Sequence, residues 1–262
     1  MYKNTFFTNV FLLIITIFFH NSNAQTNIAL WDFESFPGGF VNPSTSTGTG
    51  TASVIVQSAI NSGTAFNALG TQGGNGNATG CGTTQSGAAW QIFPMDVGTF
   101  NESNGLEFKA STVGYENIFF KWDQRWSNTA PNTLRLQYTV DGSTWTNFAM
   151  TSGNTTYCLG TLNSNGTYEA ATPGDSFRRF TVNLTAIIGA ANNANFGIRL
   201  MASFNQTTFD YRQTTFDVPS TSYPISTNNG TWRFDNVSFS GSLFAGPSLA
   251  TMSTSNATIC NG

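Results

Sequence analysis

Hydrophobic and polar positions alternate with a period of two along much of this chain. Leu134, Leu136, Tyr138 and Val140 fall on one side, with Arg135, Gln137 and Thr139 on the other. Phe196, Ile198, Leu200 and Ala202 alternate with Gly197, Arg199, Met201 and Ser203, and Phe180, Val182 and Leu184 alternate with Arg179, Thr181 and Asn183. That period belongs to a strand with one buried face. Further strands read at 28–36, 52–57, 88–93, 106–111, 115–127, 144–149 and 231–240. Asp141-Gly142 separates two strands and signals a tight hairpin, because glycine tolerates the positive φ such a turn requires. Residues 184–191 read as a short helix or a turn. Long loops fill 38–51, 67–87, 152–176 and 205–227, and loops of that length are uncommon in compact domains unless they carry function or are held down.

About ten strands without alternating helices predict an all-β chain built as a two-sheet antiparallel β-sandwich. Composition agrees. The chain is rich in Thr, Asn, Ser, Gly and Phe, 14% aromatic and only 9% charged. Aromatic and β-branched side chains fit a pleated sheet, and Asn, Ser and Gly fit turns. No internal repeat of solenoid length is present.

The N-terminus predicts secretion. Lys3 is followed by an apolar run from Val10 to Phe19, interrupted only by Thr16, and Ser22-Asn23-Ala24 offers small residues where a signal peptidase cuts. The run is half the length of a membrane span. Residues 1–24 are therefore read as a signal peptide and 25–243 as the folded domain. The few lysines and arginines are scattered, which argues against nucleic acid, and no long apolar or basic amphipathic stretch remains to enter a membrane. Cys81, Cys158 and Cys260 are the cysteines. Disulfides suit a secreted chain, and Cys81 is paired with Cys158 because both sit in Gly/Asn/Thr-rich loops. Closing that loop contributes about 4 kcal/mol in the chain-entropy model.

The exclusions are informative. The one histidine, His20, lies in the signal segment. The remaining chain therefore has no Ser-His-Asp triad, no Cys-His pair and no His-ligated metal. Paired carboxylates are the enzymatic route left, with Glu107, Glu116, Asp123 and Glu169 as candidates for glycan cleavage. None of them forms a dense acidic strand, and the chain is read as non-catalytic. N-x-S/T sequons, among them Asn77, Asn154 and Asn236, follow from the Asn/Thr-rich composition.

Two segments bracket the domain, Ala29-Leu30-Trp31-Asp32-Phe33-Glu34 and Trp232-Arg233-Phe234-Asp235-Asn236-Val237. Each places acids among aromatics. This bracketing resembles the β-jelly-roll carbohydrate-binding modules of the galactose-binding-like type, whose first strand carries an "FE" and whose last carries an F-D-D/N-V run. The resemblance implies a jelly-roll topology with the end strands adjacent. It also implies a structural Ca2+ at Glu34 and Asp235, with Asp32 as a third ligand. Asn236 stands where the family usually has a second acid. The run from Phe120 to Ser127, followed by Tyr138 to Trp145, is also similar to the N-terminal sandwich domains of large secreted bacterial surface proteins. In line with this, 244–262 reads as a linker around Gly246-Pro247. The segment ending in Cys260 looks like the entry strand of a following immunoglobulin-like module, and a free terminal cysteine is the other reading.

The expected ligand face lies on the strand at 115–127. Phe120, Trp122 and Trp126 point to the core, while Lys121, Asp123 and Arg125 share the other side, where Arg135, Gln137 and Arg199 join from neighbouring strands. Arginine forks and carboxylates suit sugar hydroxyls. The function expected is that of a secreted or cell-surface module binding carbohydrate or another surface polymer, within a chain carrying further C-terminal domains. A purely structural or adhesive sandwich, its face closed by mutual ion pairs, is the alternative, and a glycan-cleaving enzyme is the second.

Overall fold

The alternating segments form strands in two stacked sheets. The computed structural model describes residues 25–34, 43–56, 67–70, 81–82, 87–92, 101–171, 174, 176–214 and 230–244. The strands are, in chain order, β1 (Thr26–Trp31), β2 (Thr47–Gly48), β3 (Thr51–Val56), β4 (Asn67–Gly70), β5 (Cys81–Gly82), β6 (Ala89–Ile92), β7 (Asn104–Lys109) and β8 (Tyr115–Trp126). They continue with β9 (Thr133–Thr139), β10 (Thr146–Phe148), β11 (Thr155–Thr156), β12 (Gly160–Leu162), β13 (Tyr168–Ala170), β14 (Phe177–Asn183), β15 (Gly197–Ala202) and β16 (Trp232–Leu243). No helix occurs among the described residues.

One sheet of nine strands runs β11-β14-β8-β16-β1-β2, with β5 on β14, β6 on β16 and β4 on β6. The other, of seven, runs β12-β13-β9-β15-β7-β3, with β10 on β9. Neighbouring strands are antiparallel, as in β1 with β16, β8 with β14 and β9 with β15. The chain crosses from sheet to sheet at β7–β8–β9 and again at β14–β15–β16, the interleaving of a jelly-roll sandwich. The first and last long strands lie side by side, with Trp31 opposite Val237, as the bracketing segments implied.

The core is aromatic. Trp31, Trp90, Trp122, Trp126 and Trp232 are fully buried. Rings from the two sheets meet edge to face: Trp31 on Phe108 at 5.1 Å, Phe239 on Phe196 at 5.9 Å and Phe180 on Tyr168 at 4.8 Å. Each ring removes about 150–250 Å² from water, and truncating one to alanine costs about 3–5 kcal/mol. Two of the buried indole nitrogens find partners: Trp122 Nε1 donates to Gln124 Oε1 at 3.0 Å and Trp232 Nε1 to the Pro131 carbonyl at 2.9 Å, whereas those of Trp31, Trp90 and Trp126 make no hydrogen bond among the described residues.

The alternation did not give every boundary. β1 ends at Trp31 because Phe33 adopts φ 57, a left-handed turn that keeps its ring in the core and puts Glu34 on a turn beyond the strand. The β9–β10 hairpin is wider than a two-residue turn and spans 140–145. Asp141 Oδ1 accepts the N–H groups of Ser143 at 2.8 Å and Thr144 at 2.6 Å, and these bonds shape the loop. Residues 184–191 form successive turns, with Ile187 N–H bonded to the Leu184 carbonyl and Ala190 N–H to that of Ile187. The segment at 152–176 carries the short strands β11, β12 and β13, too brief to leave a periodic signal.

Candidate functional site

The expected single ligand face is two faces. Lys121, Asp123 and Arg125 lie on β8, whose partners are β14 and β16 in the nine-stranded sheet. Arg135 and Gln137 on β9 and Arg199 on β15 belong to the seven-stranded sheet. Alternation assigns a residue to the inward or outward side of its own strand, but it does not say which sheet the strand joins. The six residues therefore do not converge.

On the nine-stranded sheet, Asp123 stands opposite Arg179 on one neighbour and Asp235 on the other. Arg179 grips Asp123 with both arms of its fork, Nε to Oδ1 at 2.7 Å and Nη2 to Oδ2 at 2.8 Å. Asn236 Nδ2 adds a bond to Asp123 Oδ2 at 3.1 Å. A register shift between Asp235 and Ser238, with Asn236 at φ 48, turns that amide toward the carboxylate. Asp123 and Asp235 are both buried. The hydrogen bonds Arg179 donates to Asp123, followed by the charges of Asp123 and Asp235, raise the pKa of Arg179, so the guanidinium is permanently charged. Arg125 lies opposite Arg233, whose Nε donates to Gln91 Oε1 at 2.7 Å. Lys121 sits between Thr181 and Ser238.

On the seven-stranded sheet, a row of polar residues crosses five strands: Asn147, Gln137, Arg199, Glu107 and Ser53 stand opposite one another in turn. Gln137 Nε2 donates to Asn147 Oδ1 at 2.9 Å and to Glu102 Oε2 at 3.1 Å. Arg199 pairs with Glu107 at 2.8 Å, and Lys109 reaches the same carboxylate at 2.8 Å. Arg135 bonds Glu102 through Nε at 3.1 Å and the Asn165 carbonyl through Nη1 at 2.6 Å. The half-buried ring of Trp145 carries the Arg199 guanidinium 3.9 Å from its centroid, with Lys109 at 5.6 Å. Trp145, Glu102 and Arg179 were not among the residues expected at a site. The alternation showed Arg179 facing outward, but the pairing of β14 with β8 is a long-range fact that no local pattern records.

The acids expected to hold calcium are placed as follows. Glu34 Oε1 accepts the Ala88 N–H at 3.4 Å, and Asp32 Oδ1 accepts the Glu34 N–H at 3.3 Å. Asp235 accepts its neighbour Asn236 N–H at 2.7 Å. Among the described residues no three His, Cys, Asp or Glu side chains gather as a metal group. Calcium wants six to eight oxygens, so an ion here would draw most of its ligands from backbone carbonyls.

The carboxylates considered for catalysis are dispersed. Glu107 and Glu169 lie on β7 and β13, three inter-strand spacings or about 14 Å apart, beyond the reach of a glycosidase pair. Asp123, in the nine-stranded sheet, is held there by Arg179, and Glu116 lies on the same strand across from Ser242.

Cys158 is disulfide-bonded. Cys81 on β5 and Thr156 on β11 both pair with β14, at Arg178 and Thr181, so the backbone brings the Cys81 and Cys158 segments to one edge. Residues 1–24, Asn77, Gly246-Pro247 and Cys260 lie outside the described residues. Three of the described sequon asparagines act as turn residues. Asn165, Asn183 and Asn205 each accept, through Oδ1, the N–H of the threonine two positions on.

No family model matches the chain, and no curated protein does. Solved structures do resemble it. The N-terminal CBM22-1–GH10 modules of an endo-1,4-β-D-xylanase from Clostridium thermocellum, complexed with xylohexaose, align over 82% of this chain and 28% of that one, at 11% identity and TM-score 0.36. The chain thus spans less than a third of that structure's length. The K2 cleaved adhesin domain of Lys-gingipain aligns over 82% of this chain and 97% of that one, at 14% identity and TM-score 0.38. A family 29 carbohydrate-binding module aligns over 73% and 92%, at 10% identity and TM-score 0.29. By its own two antiparallel sheets the chain is a β-sandwich.

Proposed function

We propose that the chain is a secreted, non-catalytic module that binds carbohydrate on the outer face of its seven-stranded sheet, as part of a larger protein. One observation carries the reading: the half-buried Trp145 ring, steadied by Arg199 at 3.9 Å, beside the row of Asn147, Gln137, Arg199 and Glu107. A sugar offers hydroxyls around an apolar face of C–H groups. Planar amides, guanidinium and carboxylate match the hydroxyls, and an indole matches the C–H face. The N-terminal apolar run and the bonded Cys158 support an oxidising, extracellular setting. No described helix is long and apolar enough to cross a membrane. A glycan array probed with the protein and with Trp145→Ala tests the reading. Retention of a glycan by the native chain and its loss in the variant are expected. No retained glycan, or equal retention by both, rejects it.

A second reading, an adhesive or structural sandwich, is favoured by the mutual pairing of Arg135 with Glu102 and Arg199 with Glu107, which satisfies much of the face internally. The cation that the sequence resemblance implies at Asp32, Glu34 and Asp235 belongs to the proposal as a structural element. An ion bound only by the folded state raises the melting temperature by mass action. Identical melting curves in calcium and in chelator would remove it.

A further inference from the structure

Beyond the sheet face, a cleft of about 540 Å³ opens between the β10–β11 connection and the β12–β13 hairpin. Tyr157, Met150 and Leu162 give it apolar surface, and Ser152, Thr161 and Asn163 give it hydroxyls and an amide. Among the described residues no Asp, Glu, Lys or Arg lines it. The volume lies within the usual range for a small-ligand site.

Its walls are fixed before any ligand arrives. Tyr157 packs edge-on against the buried Tyr168 at 5.6 Å, so its ring cannot swing freely. The Tyr168 hydroxyl donates to the carbonyls of Cys158 and Leu159, and Cys158 is disulfide-bonded. Gly160, at φ 153, lets the next residues pass against Tyr168, where a Cβ would strike its hydroxyl. On the opposite side Met150 N–H bonds to the Gly166 carbonyl at 3.2 Å. A rigid wall loses little entropy on binding.

The cleft adjoins the polar row, since Asn147 on β10 lies two positions before Ala149, which lines it. The two surfaces differ in chemistry: the row is charged, the cleft is not. We infer that the cleft is a separate subsite for an uncharged sugar residue, stacked on Tyr157 and bonded by the exposed Ser152 and Thr161 hydroxyls. A uronic acid or sulfated sugar is disfavoured there, because a carboxylate or sulfate taken out of water without a cationic partner is costly. This inference rests on the carbohydrate reading above and specifies the class of sugar at one end of the site.

Titration calorimetry with cellohexaose, mannohexaose, xylohexaose and hexagalacturonate tests it, using the native chain, Tyr157→Ala, Thr161→Arg and Trp145→Ala. Thr161 is exposed, so arginine fills the cleft without disturbing the packing of Tyr157. A neutral hexasaccharide should bind the native chain and lose roughly tenfold in affinity, about 1.4 kcal/mol, in both cleft variants. Loss in Trp145→Ala with no change in either cleft variant overturns the subsite and leaves the carbohydrate reading standing. Hexagalacturonate bound as tightly as the neutral chains overturns the assignment of an uncharged sugar. No binding of any of the four overturns both.

Discussion

Asp123 and Asp235 stand directly opposite one another on β8 and β16, two buried carboxylates in register, and Arg179 reaches over from β14 to hold Asp123 by both oxygens. Like charges facing across a strand pair are destabilising. The guanidinium offsets that repulsion and clamps three strands of the nine-stranded sheet.

Replacing the clamp should therefore cost stability. Arg179→Ala leaves two carboxylates facing each other, one of them without its cationic partner. Breaking a fully buried pair costs about 3–5 kcal/mol, but the Arg179 side chain is a quarter exposed. Water screens part of the charge, so a loss of about 2 kcal/mol is expected in urea denaturation. Asp235→Asn should cost less than Arg179→Ala, because it removes the repulsion as well. A larger loss in Asp235→Asn would show that the two acids are not opposed in the folded chain.

Asp141 is exposed, yet hydrogen bonds from Thr144, Ser143 and Thr139 hold its carboxyl well below the usual carboxylate range. A folded pKa below the unfolded one stabilises the fold above the unfolded value, near about 3.9. The contribution fades as pH falls toward the folded value. Carbon-detected NMR should find Asp141 still ionised at about pH 3, where an ordinary aspartate is mostly protonated. Asp141→Asn should flatten that part of the acid limb of stability. A titration midpoint at the ordinary value would mean that the loop bonds do not persist in solution.

Gly166 has φ 79, and a Cβ there would lie 2.6 Å from the Cα of Ala149. Both the backbone region and the contact oppose a side chain, and the contact is with backbone, which does not yield easily. Gly166→Ala should lower stability by about 1–3 kcal/mol. In calorimetric melting, a variant as stable as the native chain would show that this approach of the two cleft walls is looser than described.

Asn205 separates two meanings of one motif. It is buried, and its Oδ1 accepts the N–H groups of Thr207 at 2.9 Å and Thr208 at 3.3 Å. As a turn, the site needs the Asn205 amide and only the backbone of Thr207. As a glycan acceptor, it would need the Thr207 hydroxyl. Asn205→Ala should thus cost about 1–3 kcal/mol, the penalty for stranded donors, and Thr207→Ala almost nothing. Glycan attached to Asn205 in the folded protein, detected by mass spectrometry, would refute the turn role.

The sequence made the sandwich legible because outward and inward positions alternate so regularly in β8, β9, β14 and β15. The adjacency of β1 and β16 was legible through their matching acid-and-aromatic segments. The candidate site was not. Asp123 and Arg135 look alike in a pattern that reports facing, yet they lie on opposite sheets because strand order is set by distant pairings. The cleft escaped because its walls come from strands of two or three residues, where turn geometry rather than periodicity dictates the path. Trp145 was overlooked for a related reason: it stands just past a turn, and its packing on Arg199 depends on β10 folding back beside β9.

The side-by-side placement of β1 and β16 has a mechanical consequence. Thr26 lies opposite Gly241, so the chain enters and leaves the sandwich at the same end of one antiparallel pair. Tension applied through both ends would open that pair like a zipper, loading its hydrogen bonds one after another instead of shearing them together. Such a module hangs from a stretched chain as a pendant and is not a link that carries the load.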